Sequence, residues 1–200
     1  MKRLLDLATS VAGLIVLGPL LLLVSLLIAV LDGRPVFFRQ QRVGQGGKPF
    51  RIWKFRTMVP DASARGGEIT VGGDPRITRL GHWLRKTKLD ELPQLLNVLR
   101  GEMSVVGPRP EVPRYVAMYT KQQRGVLEMV PGITDPASIA YRDESEILAE
   151  SSSPETTYVE KIMVDKIRIN LAYASQRSVT TDILVVVKTI ARVLLPNLAR

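Results

Sequence analysis

Between Asp6 and Asp32 the chain carries no charged side chain. Leu7 to Leu31, at about 1.5 Å per helical residue, is long enough to cross a bilayer core of about 30 Å. A cleaved signal peptide fits less well. The run is long for such a segment, and Leu27 to Gly33 offers no small-x-small cleavage site. Two features complicate a plain spanning helix. Gly18-Pro19 sits near the middle, where proline removes a backbone donor and favours a kink. Cations flank both ends: Lys2 and Arg3 before, and Arg34, Arg39, Arg42, Lys48, Arg51, Lys54 and Arg56 after. The positive-inside rule asks both ends to stay on the cytoplasmic side. A re-entrant helix that bends at Pro19 satisfies both demands, and a kinked spanning helix is its competitor.

The 200 residues suffice for one compact domain with a core. Lys and Arg number 28 against 19 Asp and Glu, a net charge of +9. Such a surplus suits an anionic partner: nucleic acid, anionic lipid or a phosphorylated substrate. A solvated basic surface accounts for it equally. No cysteine is present, which excludes disulfides, thiolate catalysis and Cys-based metal sites. The single histidine, His82, excludes multi-His metal sites, argues against a Ser-His-Asp triad, and reads as a surface or boundary residue.

From Pro35 to Met58 the pattern predicts two short strands around a turn at Gly44-Gln45-Gly46-Gly47. In the second strand Phe50, Ile52 and Lys54 share one face, and Arg51, Trp53 and Phe55 the other. Aromatic residues among cations suit a lipid headgroup layer, single-stranded nucleic acid, or an ordinary hairpin core. Pro60 to Asp74 reads as a loop. Its glycines, and those of the hairpin turn, lack the spacing of a dinucleotide fingerprint.

The stretch from Arg76 to Pro110 places Asp90 and Glu91 among Arg76, Arg79, Arg85, Lys86, Lys88, Arg100 and Arg109. Leu92, Leu95, Leu96 and Leu99 recur at helical spacing, Pro93 suits a first turn, and Thr87-x-x-Asp90 resembles a capping signal. A helix start between Thr87 and Leu92 is predicted, with both carboxylates at its N-terminus. Read alone, the pair is accounted for by the helix dipole, worth about 0.3–1 kcal/mol. The cationic setting supports a second reading. Arginines and a helix N-terminus lower a carboxylate pKa, leaving Asp90 ionised as a nucleophile, and the same groups bind phosphate. Glu91 could hold Mg²⁺, and with Arg109 the ion could neutralise phosphate oxygens. Adjacent helical residues do not face one another, so the pair suits two different roles better than the facing acid and base of a glycosidase.

These residues resemble the monotopic phosphoglycosyl transferases, also called bacterial sugar transferases. The resemblance rests on Lys2-Arg3-x-x-Asp6, Phe38-Arg-Gln-Gln-Arg-Val-Gly44 with Gly47-x-x-Phe50, Lys54-Phe-Arg-Thr-Met58 and Asp74-x-Arg76-Ile-Thr78. It continues through Leu89-Asp-Glu-Leu-Pro-Gln-Leu95, Met103-Ser-Val-Val-Gly-Pro-Arg-Pro110, Pro131-Gly-Ile-Thr134 and Tyr158-x-x-x-Ile162, and so covers nearly the whole chain. It implies the family's small catalytic form, which moves a sugar 1-phosphate from a UDP-sugar to a polyprenol phosphate such as undecaprenyl phosphate. UMP leaves, and a bacterial surface glycan begins. It further implies a covalent phosphosugar on Asp90, Mg²⁺ on Glu91, and a re-entrant helix broken at Pro19. The candidate substrate- and phosphate-binding residues are Lys54, Arg56, Arg76, Arg109, Arg142 and Asp143. Departures are Gly18 where the family has Ser, Glu102 where Asp is usual, Val164 in place of Pro, and Asp135 in place of Gly. Asp135 therefore ranks below Arg142 and Asp143 as a functional residue.

In the C-terminal third, Thr156 to Gln176 reads as a helix. Asp182 to Leu195, ended by Pro196, reads as a second, suited either to the membrane interface or to packing on the domain. The expected fold is α/β, mostly helical with a small β-hairpin, a membrane helix over 1–33, and a membrane-associated cytosolic catalytic domain over 34–200. The implied site is the cytoplasmic face of the bacterial inner membrane. The partners are a UDP-sugar, polyprenol phosphate and membrane lipid, without nucleic acid, and a homodimer is left open. The rival is a non-catalytic, membrane-anchored basic module that binds nucleic acid or anionic lipid.

Overall fold

The computed structural model describes residues 2–194. Helix α1, Lys2–Leu31, runs unbroken through Pro19. It is the one described helix long and apolar enough to cross a membrane. Leu4, Ile15, Val16, Leu22 and Val30 are all exposed along it.

Both ends of α1 are fastened to the rest of the chain. Near the start, Arg3 donates to the carbonyls of Val98 (2.6 Å) and Leu99 (3.1 Å) in the last turn of α4, Leu95–Arg100, where a cation complements the helix dipole. Buried Asp6 accepts from Ser104 Oγ (2.9 Å) and from the Val105 N–H (3.0 Å). Ser10 Oγ donates to the Leu95 carbonyl at 2.7 Å. Toward the other end, Val24 and Ile28 pack with Phe55 and Leu84. Arg56 donates to the carbonyls of Asp32 (2.6 Å) and Gly33 (2.8 Å). The Lys2-Arg3-x-x-Asp6 motif is thus a docking clamp for the helix start.

The predicted hairpin forms. Strand β1, Phe37–Val43, pairs antiparallel with β2, Pro49–Phe55, in a register running from Phe37 opposite Phe55 to Val43 opposite Pro49. The two faces of β2 serve two cores. Ile52 packs with Val98 and Met103, while Phe55 packs against α1. The Arg39 guanidinium lies 4.3 Å from the Trp53 ring centroid, and that of Arg100 5.5 Å from it.

The segment read as a loop contains one short helix, α2, Ala62–Arg65. Helix α3, Arg79–Lys86, follows. His82 is exposed on it. A second small sheet joins segments that the sequence pattern leaves unassigned. Strand β3, Ser104–Val106, pairs parallel with β4, Gly132–Thr134. Three residues per strand are too few for alternation to register. Two glycines allow this pairing. A Cβ on Gly132 would lie 2.1 Å from the Gly107 nitrogen, and one on Gly107 would lie 2.3 Å from the Val130 carbonyl. The Gly-Pro-Arg-Pro turn and the Pro-Gly-Ile-Thr segment therefore meet backbone to backbone.

Short helices α5, Pro113–Val116, α6, Pro136–Ala140, and α7, Glu144–Ala149, lead into a longer helical region. This comprises α8, Pro154–Thr157, a π-helical turn at Tyr158–Ile162, and α9, Met163–Ser175. Its buried face, with Tyr158, Ile162, Met163, Ile167 and Tyr173, joins Val112, Tyr115 and Val116 in the main core. Helix α10, Val179–Leu194, starts three residues before its expected position, and Leu195 and Pro196 lie outside the described residues. It buries Val185 but exposes Ile183, Leu184, Val187 and Ile190. Lys2 pairs with Asp182, joining its first turn to the start of α1.

Candidate active site

The local geometry around Asp90 and Glu91 differs from the expected helix start. Thr87 closes α3 instead of opening a new helix: its Oγ1 donates back to the Trp83 carbonyl at 2.9 Å. Lys88 then adopts φ 58°, a left-handed conformation uncommon for a residue with a side chain. The chain turns there into a 3₁₀ helix, Leu89–Gln94, and α4 begins only at Leu95. Both carboxylates lie in the 3₁₀ first turn and are buried.

Glu91 is the more heavily engaged. Arg109 grips it through both guanidinium nitrogens, at 2.8 Å to Oε2 and 2.5 Å to Oε1. Lys54 reaches Oε1 at 3.2 Å. Burial opposes ionisation of Glu91, but Arg109 and Lys54 outweigh it and hold its carboxyl well below the usual range. Asp90 behaves oppositely. Its Oδ1 is buried without a hydrogen-bond partner. Burial, reinforced by the charge of Glu91, raises its pKa. The expectation that the surrounding cations lower the Asp90 pKa is therefore corrected. Lys54, Lys88 and Arg85 pull its pKa down but do not overcome desolvation. An unpartnered buried carboxylate is poorly solvated, a state that favours nucleophilic attack once the proton is off.

Lys54 is lowered to about 8, chiefly by burial and partly offset by Glu91. Its charge is present below that pH and is lost as pH rises through it. The alkaline limb of kcat/KM should therefore fall by about tenfold per pH unit above about 8. Lys54→Arg keeps the charge and should move this limb beyond the accessible range. An unmoved limb in that variant would detach it from Lys54.

Of the candidate binding residues, Lys54 and Arg109 converge on Glu91. Arg56 is engaged with the Asp32 and Gly33 carbonyls. Arg76 pairs with Asp74 (2.7 Å) and donates to the carbonyls of Ala62 (3.2 Å) and Gly67 (2.9 Å), tying down the 60–74 segment. Arg142 donates to the Arg192 carbonyl. Asp143 sits at the start of α7, where its side chain makes no capping bond. All of them line one groove of about 2080 Å³, which reaches from Leu17 of α1 past Asp90 to α9.

Two residues gain importance from the fold. Arg85 is half-buried, donates to Thr57 Oγ1 at 2.9 Å, and acts electrostatically on Asp90. Asp135 is fully buried; its Oδ2 accepts the Arg109 backbone N–H at 2.7 Å and its Oδ1 the Ser138 N–H at 2.6 Å. Asp before Pro136 is a recognisable N-cap signal. The link to Arg109 exists only through the β3–β4 pairing.

Among the described residues there is no cluster of three or more acidic or imidazole side chains for a metal. Glu91 is the candidate carboxylate for Mg²⁺, an ion that commonly takes one or two carboxylates and completes its shell with substrate phosphates and water; Arg109 and Lys54 engage both its oxygens here.

Residues 1–196 match the family described as bacterial sugar transferase. The chain belongs to that family. It is 34% identical over 198 residues to the UDP-N-acetylgalactosamine-undecaprenyl-phosphate N-acetylgalactosaminephosphotransferase of Aeromonas hydrophila, covering 96% of this chain and 43% of that protein. It is 34% identical over 194 residues to the UDP-glucose:undecaprenyl-phosphate glucose-1-phosphate transferase of Escherichia coli, with coverage of 95% and 39%. The exopolysaccharide production protein ExoY of Sinorhizobium fredii is 34% identical over 209 residues, with coverage of 97% and 85%. The chain thus spans less than half the length of the first two relatives.

Proposed function

We propose that this protein transfers a sugar 1-phosphate from a UDP-sugar to undecaprenyl phosphate and releases UMP. The carrying observation is Asp90, an unpartnered buried carboxylate beside the Arg109–Glu91–Lys54 cluster in a groove that reaches the apolar helix. In the first step an Asp90 oxygen attacks the sugar-bearing phosphorus. The bond from phosphorus to the UMP oxygen breaks, UMP leaves with the electron pair, and an aspartyl phosphosugar forms. In the second step an oxygen of the lipid phosphate attacks the same phosphorus and expels the Asp90 carboxylate. Lys54 and Arg109 supply positive charge for the phosphate oxygens. Mg²⁺ held by Glu91 and the diphosphate would neutralise further charge.

Release of UMP across a panel of UDP-sugars, with undecaprenyl phosphate supplied, tests the reading. Turnover of at least one donor is expected, with loss of activity in excess EDTA and recovery on adding Mg²⁺. No UMP from any donor would overturn the transfer reaction, and undiminished turnover in EDTA would remove the metal from it.

The attachment of both ends of α1 to one domain supports a re-entrant arrangement. A straight helix of 30 residues would be about 45 Å long, and a span would put its two ends on opposite faces. The exposed apolar faces of α1 and α10, joined through Lys2 and Asp182, suit a shared interfacial plane on the cytoplasmic side. The chain has no cysteine, so single cysteines at Leu4 and Leu31 can be probed in intact cells. Protection of both from an impermeant thiol reagent is expected, and labelling of one end alone would establish a span.

A further inference from the structure

The wall of the groove formed by α9 contains a polar group that the transfer chemistry does not use. Met163, Ile167 and Asn170 lie on one buried face of that helix, and all three line the groove. Asn170 is 5% exposed, and its Oδ1 is buried without a hydrogen-bond partner. An unsatisfied amide in an apolar stripe is costly, and asparagine is also a poor helix former. Several neighbouring polar groups are engaged elsewhere. The Tyr141 hydroxyl donates to Asp165 at 2.8 Å, Lys166 pairs with Glu144 at 2.7 Å, and the Tyr158 hydroxyl donates to Glu111.

Ile139 and Tyr141, from α6 and its C-terminal end, also line the groove, and α6 packs on α9. Asp135, which caps α6, also holds the Arg109 backbone. This wall is therefore joined to the phosphate-handling cluster through one short helix. The surroundings suit a flat ring: apolar and aromatic side chains for its faces, and one amide for its edge.

We propose that Asn170 binds the uracil edge of the donor nucleotide. Its carbonyl oxygen would accept from N3–H while its amide nitrogen donates to O4, a donor–acceptor pair that only an amide side chain provides. The proposal rests on the reading of the protein as a UDP-sugar transferase and adds the residue that contacts the base.

The test uses the full chain in lipid nanodiscs, with UMP and CMP as probes, and compares the parent with Asn170→Leu and Asn170→Asp. Leucine keeps the branched skeleton of asparagine with larger methyl groups that can face the groove, and it has no unsatisfied amide, so its variant should remain folded. It should bind UMP about tenfold or more weaker, the effect of losing a bidentate base contact. The aspartate carboxylate only accepts. It repels uracil O4 but can accept from the cytosine amino group, so the UMP-to-CMP affinity ratio should fall at least tenfold. A purely structural Asn170 would change stability without changing that ratio. Unchanged UMP affinity in the leucine variant, or parallel loss of UMP and CMP in the aspartate variant, overturns the proposal. UMP release by the parent reports separately on the transferase reading. Parental turnover with unaltered variants rejects the base contact alone, whereas a parent that neither turns over nor binds UMP rejects both.

Discussion

Replacing Asp90 with asparagine is expected to lower UMP release by about 10³-fold or more and to abolish trapping of a labelled phosphosugar on the protein. The same variant should be more stable than its parent at neutral pH. Burial raises the Asp90 pKa in the folded state, so its stabilising contribution is fully present below the unfolded pKa and is lost as pH rises through the folded one. At pH 7 to 8 the parent bears the free-energy cost that the raised pKa represents, with an Oδ1 that has no partner, and asparagine imitates the neutral form. Thermal melts should place Asp90→Asn a few degrees higher there, with the gap closing toward acid pH. UMP release at the parental rate would remove Asp90 as nucleophile. Turnover without a trappable adduct in the parent would instead favour direct attack by the lipid phosphate.

The second large effect belongs to Arg109. Arg109→Met leaves Glu91 buried with Lys54 as its remaining ion-pair partner. Breaking a buried pair by removing one partner costs about 3–5 kcal/mol, so a marked drop in the denaturation midpoint is expected. Turnover should fall by about 10²–10³, the range for losing a charge stabiliser of the transition state. The double variant Arg109→Met with Glu91→Gln separates the two effects. Neutralising the stranded carboxylate should restore most of the stability and none of the activity. A double variant as unstable as the single one would show that the Arg109 side chain supports the fold through its packing rather than through its pairing with Glu91, because methionine keeps the backbone contact with Asp135.

The cations of this chain illustrate how charge on a sequence differs from charge at a site. Seven cationic residues flank the carboxylates between Arg76 and Arg109, with Lys54 and Arg56 further upstream. Composition treats them alike. In the fold, Arg76 satisfies a loop and Arg56 satisfies the end of α1, because a guanidinium with five donors readily gathers orphaned carbonyls. Among the described residues, only Lys54 and Arg109 reach the Glu91 carboxylate. Arg109 does so because two glycines let its turn lie against the segment that ends in Asp135.

Much was decided locally and could be read directly. The apolar helix, the hairpin with its glycine turn, and the helix around α9 follow from hydropathy runs, alternation and helical spacing, which are properties of near neighbours along the chain. The carboxylate pair and its family motifs were equally legible. The β3–β4 pairing and the opposite pKa shifts of Asp90 and Glu91 depended on partners far away in sequence, whereas Thr87 ends one helix through a local bond back to Trp83 that the capping-type spacing did not announce. Desolvation and ion pairing are set by what surrounds a group in space. Two adjacent carboxylates therefore looked alike in charge along the chain, and tertiary packing made one an ion-paired anion and left the other buried without a partner.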